Sequence, residues 1–208
     1  ERDWKWGGNS TADLPASIST FSVLDEMLDA LSNKDLYPHL ESVVMAGHSA
    51  GGQIMQRFAL FSNRGEGGAS DLGLDLSYYV ANPSSTTYLG PERPVLPAAR
   101  DCAFCVNTTI ETQQWDFAKP NADSECASTY NAYGYGLDGD LPDYPAATGV
   151  AQALAQYPLR RVTYMSGESD VCDTPYMSEN ACVSCTPDDG GLDPSCEGYA
   201  QGWCRMER

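Results

Sequence analysis

Val43-Val44-Met45-Ala46-Gly47-His48-Ser49-Ala50-Gly51-Gly52 opens with four apolar residues and closes in three glycines around a serine. A short, wholly apolar run suits a parallel strand buried on both faces. Beyond the glycines, Ile54, Phe58 and Phe61 fall at helical spacing and predict a helix. Upstream, residues 17–32 read as an amphipathic helix. Ile18, Phe21, Leu24, Met27, Leu28 and Leu31 recur at three- and four-residue steps, with Asp25, Glu26 and Asp29 away from the main stripe. Ser17 or Ser19 serves as its N-cap, and it ends near Asn33, before Pro38. Helix, buried strand, glycine-rich turn and helix make half of a doubly wound, mostly parallel α/β unit.

The second strand is expected at Leu76-Ser77-Tyr78-Tyr79-Val80-Ala81, stopped by Asn82-Pro83. Residues 84–145 then lose periodicity. Prolines stand at 91, 94, 97, 120, 142 and 145, glycines at 134, 136 and 139, and aromatic residues are dense. A loop of this length reads as a cap. Residues 146–157 resume as a short helix, and Arg161-Val162-Thr163-Tyr164-Met165 forms a third strand that runs into Ser166-Gly167-Glu168-Ser169-Asp170. Residues 171–208 form a second cysteine-rich excursion, with a helix from about 196. The expected organisation is one domain over 1–208, its core from 1–83 and 158–208 and its cap-like insertion from 84–157.

The 12 basic and 29 acidic residues leave a net charge of −17. That field repels phosphate backbones and anionic lipid, which argues against nucleic-acid and membrane-surface partners. No apolar run approaches the roughly 20 residues that span a bilayer. The acidic turns Asp138-Gly139-Asp140 and Asp188-Asp189 lack the ligand spacing of a calcium loop, so no metal site is assigned. Cys102, Cys105, Cys126, Cys172, Cys182, Cys185, Cys196 and Cys204 are even in number. They accompany two glycosylation sequons, at Asn9 and Asn107, and together these predict a secreted protein with several disulfides of open pairing. The pairs 102/105 and 182/185 have the spacing of zinc ligands, but the loops around them read as disulfide-stapled. The opening residues Glu1-Arg2-Asp3-Trp4 are no signal peptide and lack an initiator Met, so the chain reads as starting inside a larger protein.

Ser49 is the candidate nucleophile. A serine hydroxyl becomes reactive when a base takes its proton and its oxygen is presented free of crowding. A tight turn between a buried strand and a helix presents it so, with Gly47, Gly51 and Gly52 leaving space for the strained backbone. The Ala50 amide, at the helix start, is aimed at a developing oxyanion. His48 reads as a structural residue lining the turn, and His39 as a surface loop residue.

At these residues the chain resembles the α/β-hydrolase superfamily. More narrowly, it looks like a group of secreted hydrolases of fungi and other eukaryotic microbes. Trp6-Gly7-Gly8-Asn9-Ser10, Ser22-Val23-Leu24-Asp25-Glu26, Val44 to Gln53, Asn82-Pro83-Ser84-Ser85, and Gln201-Gly202 with Arg205 and Arg208 carry the likeness. The resemblance implies the α/β-hydrolase fold and the chain order nucleophile, acid, histidine. The acid is then Asp170, just past the third strand, with Glu168 and Asp173 as competitors. Both histidines, His39 and His48, precede Ser49. By this likeness the chain is a central segment cut at both ends, inactive alone, with its histidine and second oxyanion donor outside it.

The expected chemistry is hydrolysis of a small-molecule or polymeric carboxylic ester, or a related acyl bond, through an acyl-serine intermediate and without a cofactor. A catalytically inactive extracellular binding or structural protein on the same fold is the alternative. A peptidase or amidase on that fold is a further one.

Overall fold

The computed structural model describes residues 3–10, 17–68, 72–83, 85–95, 116–119 and 130–165. In chain order the described elements begin with a 3-10 turn (Asp3–Trp6), α1 (Thr20–Ser32), β1 (Ser42–His48), α2 (Ala50–Phe61) and β2 (Asp75–Ala81). There follow β3 (Arg93–Val95), β4 (Asp116–Ala118), α3 (Asp143–Thr148), α4 (Val150–Gln156), a 3-10 turn (Tyr157–Leu159) and β5 (Arg161–Met165). They divide between two compact units, Glu1–Pro83 with Gly139–Met165, and Ser84–Asp138 with Ser166–Arg208.

The first unit is an α/β assembly on a three-stranded parallel sheet, in the order β1-β2-β5. One face of the sheet packs on α2. Leu76, Tyr78 and Val80 of β2 are buried there, in register with Val43, Met45 and Gly47 of β1. Where the sequence predicts one short helix over 146–157 within the insertion, the structure has two, α3 and α4, separated at Gly149 (φ 76°), and both pack on α2. An aromatic chain fills the space between elements. Phe21 of α1 meets Phe58 of α2 edge-on at 5.6 Å and Tyr144 of α3 at 5.4 Å, and Phe58 meets Tyr78 at 6.4 Å. Such edge-to-face pairs add specific attraction to the burial of apolar area.

Two expectations are corrected. β1 is not buried on both faces: its residues alternate between exposed and half-buried, and Val44 is 62% exposed. Among the described residues β1 is an edge strand, and its Val44–Ala46–His48 side has no covering helix. Apolarity of the run specified a strand but not how many layers enclose it. The face of α1 also differs. Phe21, Asp25 and Leu28 are its buried residues, whereas Met27 is exposed. The Asp25 carboxylate is tolerated inside because it accepts hydrogen bonds from Ser62 Oγ, at 2.9 Å, and from the Tyr144 hydroxyl. Burial and the neighbouring Asp25 carboxylate both push the Tyr144 hydroxyl above its ordinary pKa, so it stays a proton donor.

The carboxyl end of α2 is held by side chains from the segment that follows it in the fold. Arg160 donates to the carbonyls of Ala59 and Ser62, Gln156 Nε2 to those of Leu60 (2.8 Å) and Ser62 (2.9 Å), and Thr148 Oγ1 to that of Phe61 (2.7 Å). The last carbonyls of a helix have no partner within it. Here three buried or half-buried side chains satisfy them, and the cationic one complements the negative end of the helix dipole.

In the second unit β3 and β4 form an antiparallel pair. Its organising residue is Arg93, 1% exposed, whose guanidinium lies 4.0 Å from the Tyr88 ring centre and 5.0 Å from that of Tyr130. It donates to the carbonyls of Gly90, Glu92 and Tyr135 and to Asn131 Oδ1. Burial pulls its pKa below the ordinary arginine value. Residues 88–93 and 130–135 are tied together by this side chain, by the Tyr88 amide, which donates to the Tyr135 carbonyl at 3.0 Å, and by the Tyr130 hydroxyl, which donates to the Pro91 carbonyl at 2.9 Å.

Candidate active site

Ser49 is exposed between the carboxyl end of β1 and the first residue of α2. Its backbone torsions are φ 55° and ψ −116°. A positive φ is uncommon for a residue with a Cβ, and this ψ lies outside even the small left-handed helical well. Backbone of this kind costs on the order of 1–3 kcal/mol and persists only where its surroundings hold it.

What holds it is visible in its neighbours. The Ser49 amide donates to the carbonyl of Ala81 at the end of β2, at 2.9 Å. Its own carbonyl accepts from the Gln53 amide at 3.1 Å, which starts the helix. A Cβ on Gly47 would lie 2.2 Å from the carbonyl oxygen of Gly51, so the strand can pass this close to the helix only as glycine. Gly52 is the second close approach: a Cβ there would lie 2.7 Å from the Ala81 oxygen. Gly51 differs from the expectation drawn from spacing, since a Cβ there meets nothing within 4 Å. The crowding comes from β2, and Gly52, not Gly51, faces it.

The hydroxyl of Ser49 is the telling group. A serine in front of a helix ordinarily turns its oxygen onto the second or third amide of that helix. Ser19 does this for α1: its φ of −75° and ψ of 144° are extended, and its Oγ accepts from Phe21 N at 3.1 Å while donating to the Gly7 carbonyl at 2.7 Å. Ser49 makes no such bond to α2. The first amides of α2 are therefore left without a side-chain acceptor from their own cap. The Ala50 amide is the first of these, and Ala50 is half-buried.

The site stands at the carboxyl edge of a parallel sheet, where α/β proteins form their crevices. Met165 ends β5 at the same edge, and its carbonyl accepts from the Asn82 amide at 2.8 Å. Asn82 has φ 39° and is, with Ser49, one of two non-glycine residues of positive φ among the described residues. In the sequence Asn82-Pro83 stops a strand and belongs to the stretch that carries the family likeness, with no role at the site. Asparagine's tolerance of left-handed backbone was the available signal for more.

His48 ends β1 as an exposed residue on the side of the strand away from α2, and His39 is exposed in the preceding loop. Asn9 is exposed, and its Nδ2 donates to Asp143 Oδ2 at 2.7 Å. Asp170, its competitors Glu168 and Asp173, the sequon at Asn107 and all eight cysteines lie outside the described residues. Among the described residues no group of three or more His, Cys, Asp or Glu side chains is placed to hold a metal ion. None of the described helices is long and apolar enough to cross a membrane.

Comparisons of the chain with family models, with curated proteins and with solved structures return no match.

Proposed function

We propose that the chain carries the nucleophile of a secreted α/β-hydrolase that cleaves a carboxylic ester or related acyl bond through an acyl-Ser49 intermediate. The backbone of Ser49 carries this reading: its torsions are strained, its amide is tied to Ala81, and its hydroxyl does not cap α2. A serine that served only to start the helix would adopt the unstrained geometry of Ser19.

In this reading Ser49 Oγ attacks the acyl carbon, its proton passes to a base, and the oxygen that gains charge is met by the Ala50 amide. The alcohol departs with that proton, and water then releases the acid from Ser49. Asp170 takes the part of the residue that orients the base and stabilises its charged form. The base is an imidazole in the chain order serine, acid, histidine. The position of both His39 and His48 before Ser49 favours a second reading, a non-catalytic binding or structural protein on the same scaffold.

A fluorophosphonate probe applied to the full-length protein separates the two. Labelling that disappears in Ser49→Ala is expected of the hydrolase. An unlabelled wild-type protein, or labelling that survives Ser49→Ala, sinks it.

A further inference from the structure

One peptide group serves two neighbours at the candidate site. The carbonyl of Ala81 accepts from the Ser49 amide at 2.9 Å, and the amide of Asn82 donates to the Met165 carbonyl at 2.8 Å. Both atoms belong to the single planar unit between Ala81 and Asn82. In a trans peptide the C=O and N–H point in opposite directions, so one plane reaches β1 on one side and β5 on the other. The missing Cβ of Gly52 lets α2 rest against the same unit, since a Cβ there would lie 2.7 Å from the Ala81 oxygen. The orientation of the plane therefore governs where the Ser49 amide is held and where β5 ends.

The chain leaves this unit through Asn82, whose φ of 39° bends it away from the sheet. Most residues with a Cβ avoid that conformation, whereas glycine adopts it freely and asparagine tolerates it. A residue that preferred negative φ would relax by rotating the Ala81–Asn82 plane. The Ser49 amide and the Met165 carbonyl would both have to follow.

We propose that Asn82 is a positioning residue for the nucleophile, holding the Ala81–Asn82 peptide so that Ser49 keeps its strained turn in register with the end of β5. The inference rests on the reading of Ser49 as a nucleophile. It concerns the backbone conformation at position 82, which glycine adopts freely.

The experiment measures the rate of fluorophosphonate labelling per folded molecule of the full-length protein, for wild type, Asn82→Gly and Asn82→Ala, with melting temperatures recorded in parallel. Asn82→Gly is expected to label at close to the wild-type rate. Asn82→Ala is expected to label roughly 10- to 100-fold more slowly, the scale of loss that small misplacements of reacting groups produce. If Asn82→Ala does not fold, Asn82→Ser provides the same contrast in milder form. Equal rates in all variants overturn the inference, even if the melting temperature falls, because a purely structural role changes stability alone. Equal slowing in the glycine and alanine variants also overturns it, since the side chain and not the backbone would then matter. In each of these cases labelling of wild type leaves the hydrolase reading in place. A wild-type protein that does not label removes both.

Discussion

Ser19 and Ser49 each stand immediately before a helix, yet only Ser19 gives its hydroxyl to the helix it precedes. The two serines should therefore answer substitution in opposite ways. Ser19→Ala removes a cap and the bond to the Gly7 carbonyl, a loss of about 1 kcal/mol. Ser49→Gly relieves a positive φ and should raise stability by about 1 kcal/mol while abolishing probe labelling. Urea denaturation of both variants checks the pair. A Ser49→Gly protein less stable than wild type would show that the turn is not strained.

The three glycines of the turn should not be equivalent. Gly47→Ala and Gly52→Ala force a Cβ onto backbone atoms and should destabilise by about 1–3 kcal/mol, the cost of overpacking, or prevent folding. Gly51→Ala meets open space and gains helix propensity, so stability should hold or rise by up to about 1 kcal/mol. Thermal melts of the three variants give the ranking. A Gly51→Ala protein as damaged as Gly47→Ala would contradict the geometry.

That ranking also marks how far the sequence could be read. The apolar run before Ser49, the helical spacing of Ile54, Phe58 and Phe61, and the strand at Arg161–Met165 are local patterns, and each formed the expected element. What failed depended on distant partners. Whether Gly51 or Gly52 meets backbone is decided by β2, some thirty residues on. Whether Val44 is covered depends on the number of layers, which a uniformly apolar run cannot report. Asp25 looked like a solvent residue because its partners, Ser62 and Tyr144, stand 37 and 119 positions away. Gln156 and Arg160 carried no signal for their helix-capping role, because a side chain reaching a carbonyl nearly a hundred residues earlier leaves no periodicity.

The capping of α2 predicts a large cost at Arg160. Arg160→Ala strips buried carbonyls of their donor and should destabilise by about 3 kcal/mol, and Gln156→Leu by about 1–3 kcal/mol. Arg160→Lys should recover little, because an ammonium cannot reproduce the planar fork. Equilibrium unfolding in urea reads all three. Near-wild-type stability of Arg160→Ala would mean that water replaces the guanidinium.

The pair Asp29–Arg64 predicts a modest dependence on pH. Arg64 Nε and an Nη each donate to a carboxylate oxygen of Asp29 at 2.7 Å, and these bonds hold the Asp29 pKa below its ordinary value. A carboxylate depressed on folding contributes fully above its unfolded pKa of about 3.9 and loses that contribution as pH falls through the folded value. The pair is half-exposed, so its worth is under about 1 kcal/mol. The stability gap between wild type and Asp29→Asn should be constant near neutrality and shrink below about pH 4. A gap that grows on acidification would reverse the sign.

The clamp on the last carbonyls of α2 bears on Ser49 from the other end of the helix, about 18 Å away at 1.5 Å per residue. A strained torsion next to a loosely held rod would simply unwind, because the rod could slide or turn by a fraction of a residue. Thr148, Gln156 and Arg160 deny α2 that freedom. The tension at one end of the helix and the anchorage at the other are two halves of a single device, like a bow kept bent by the string at its far tip.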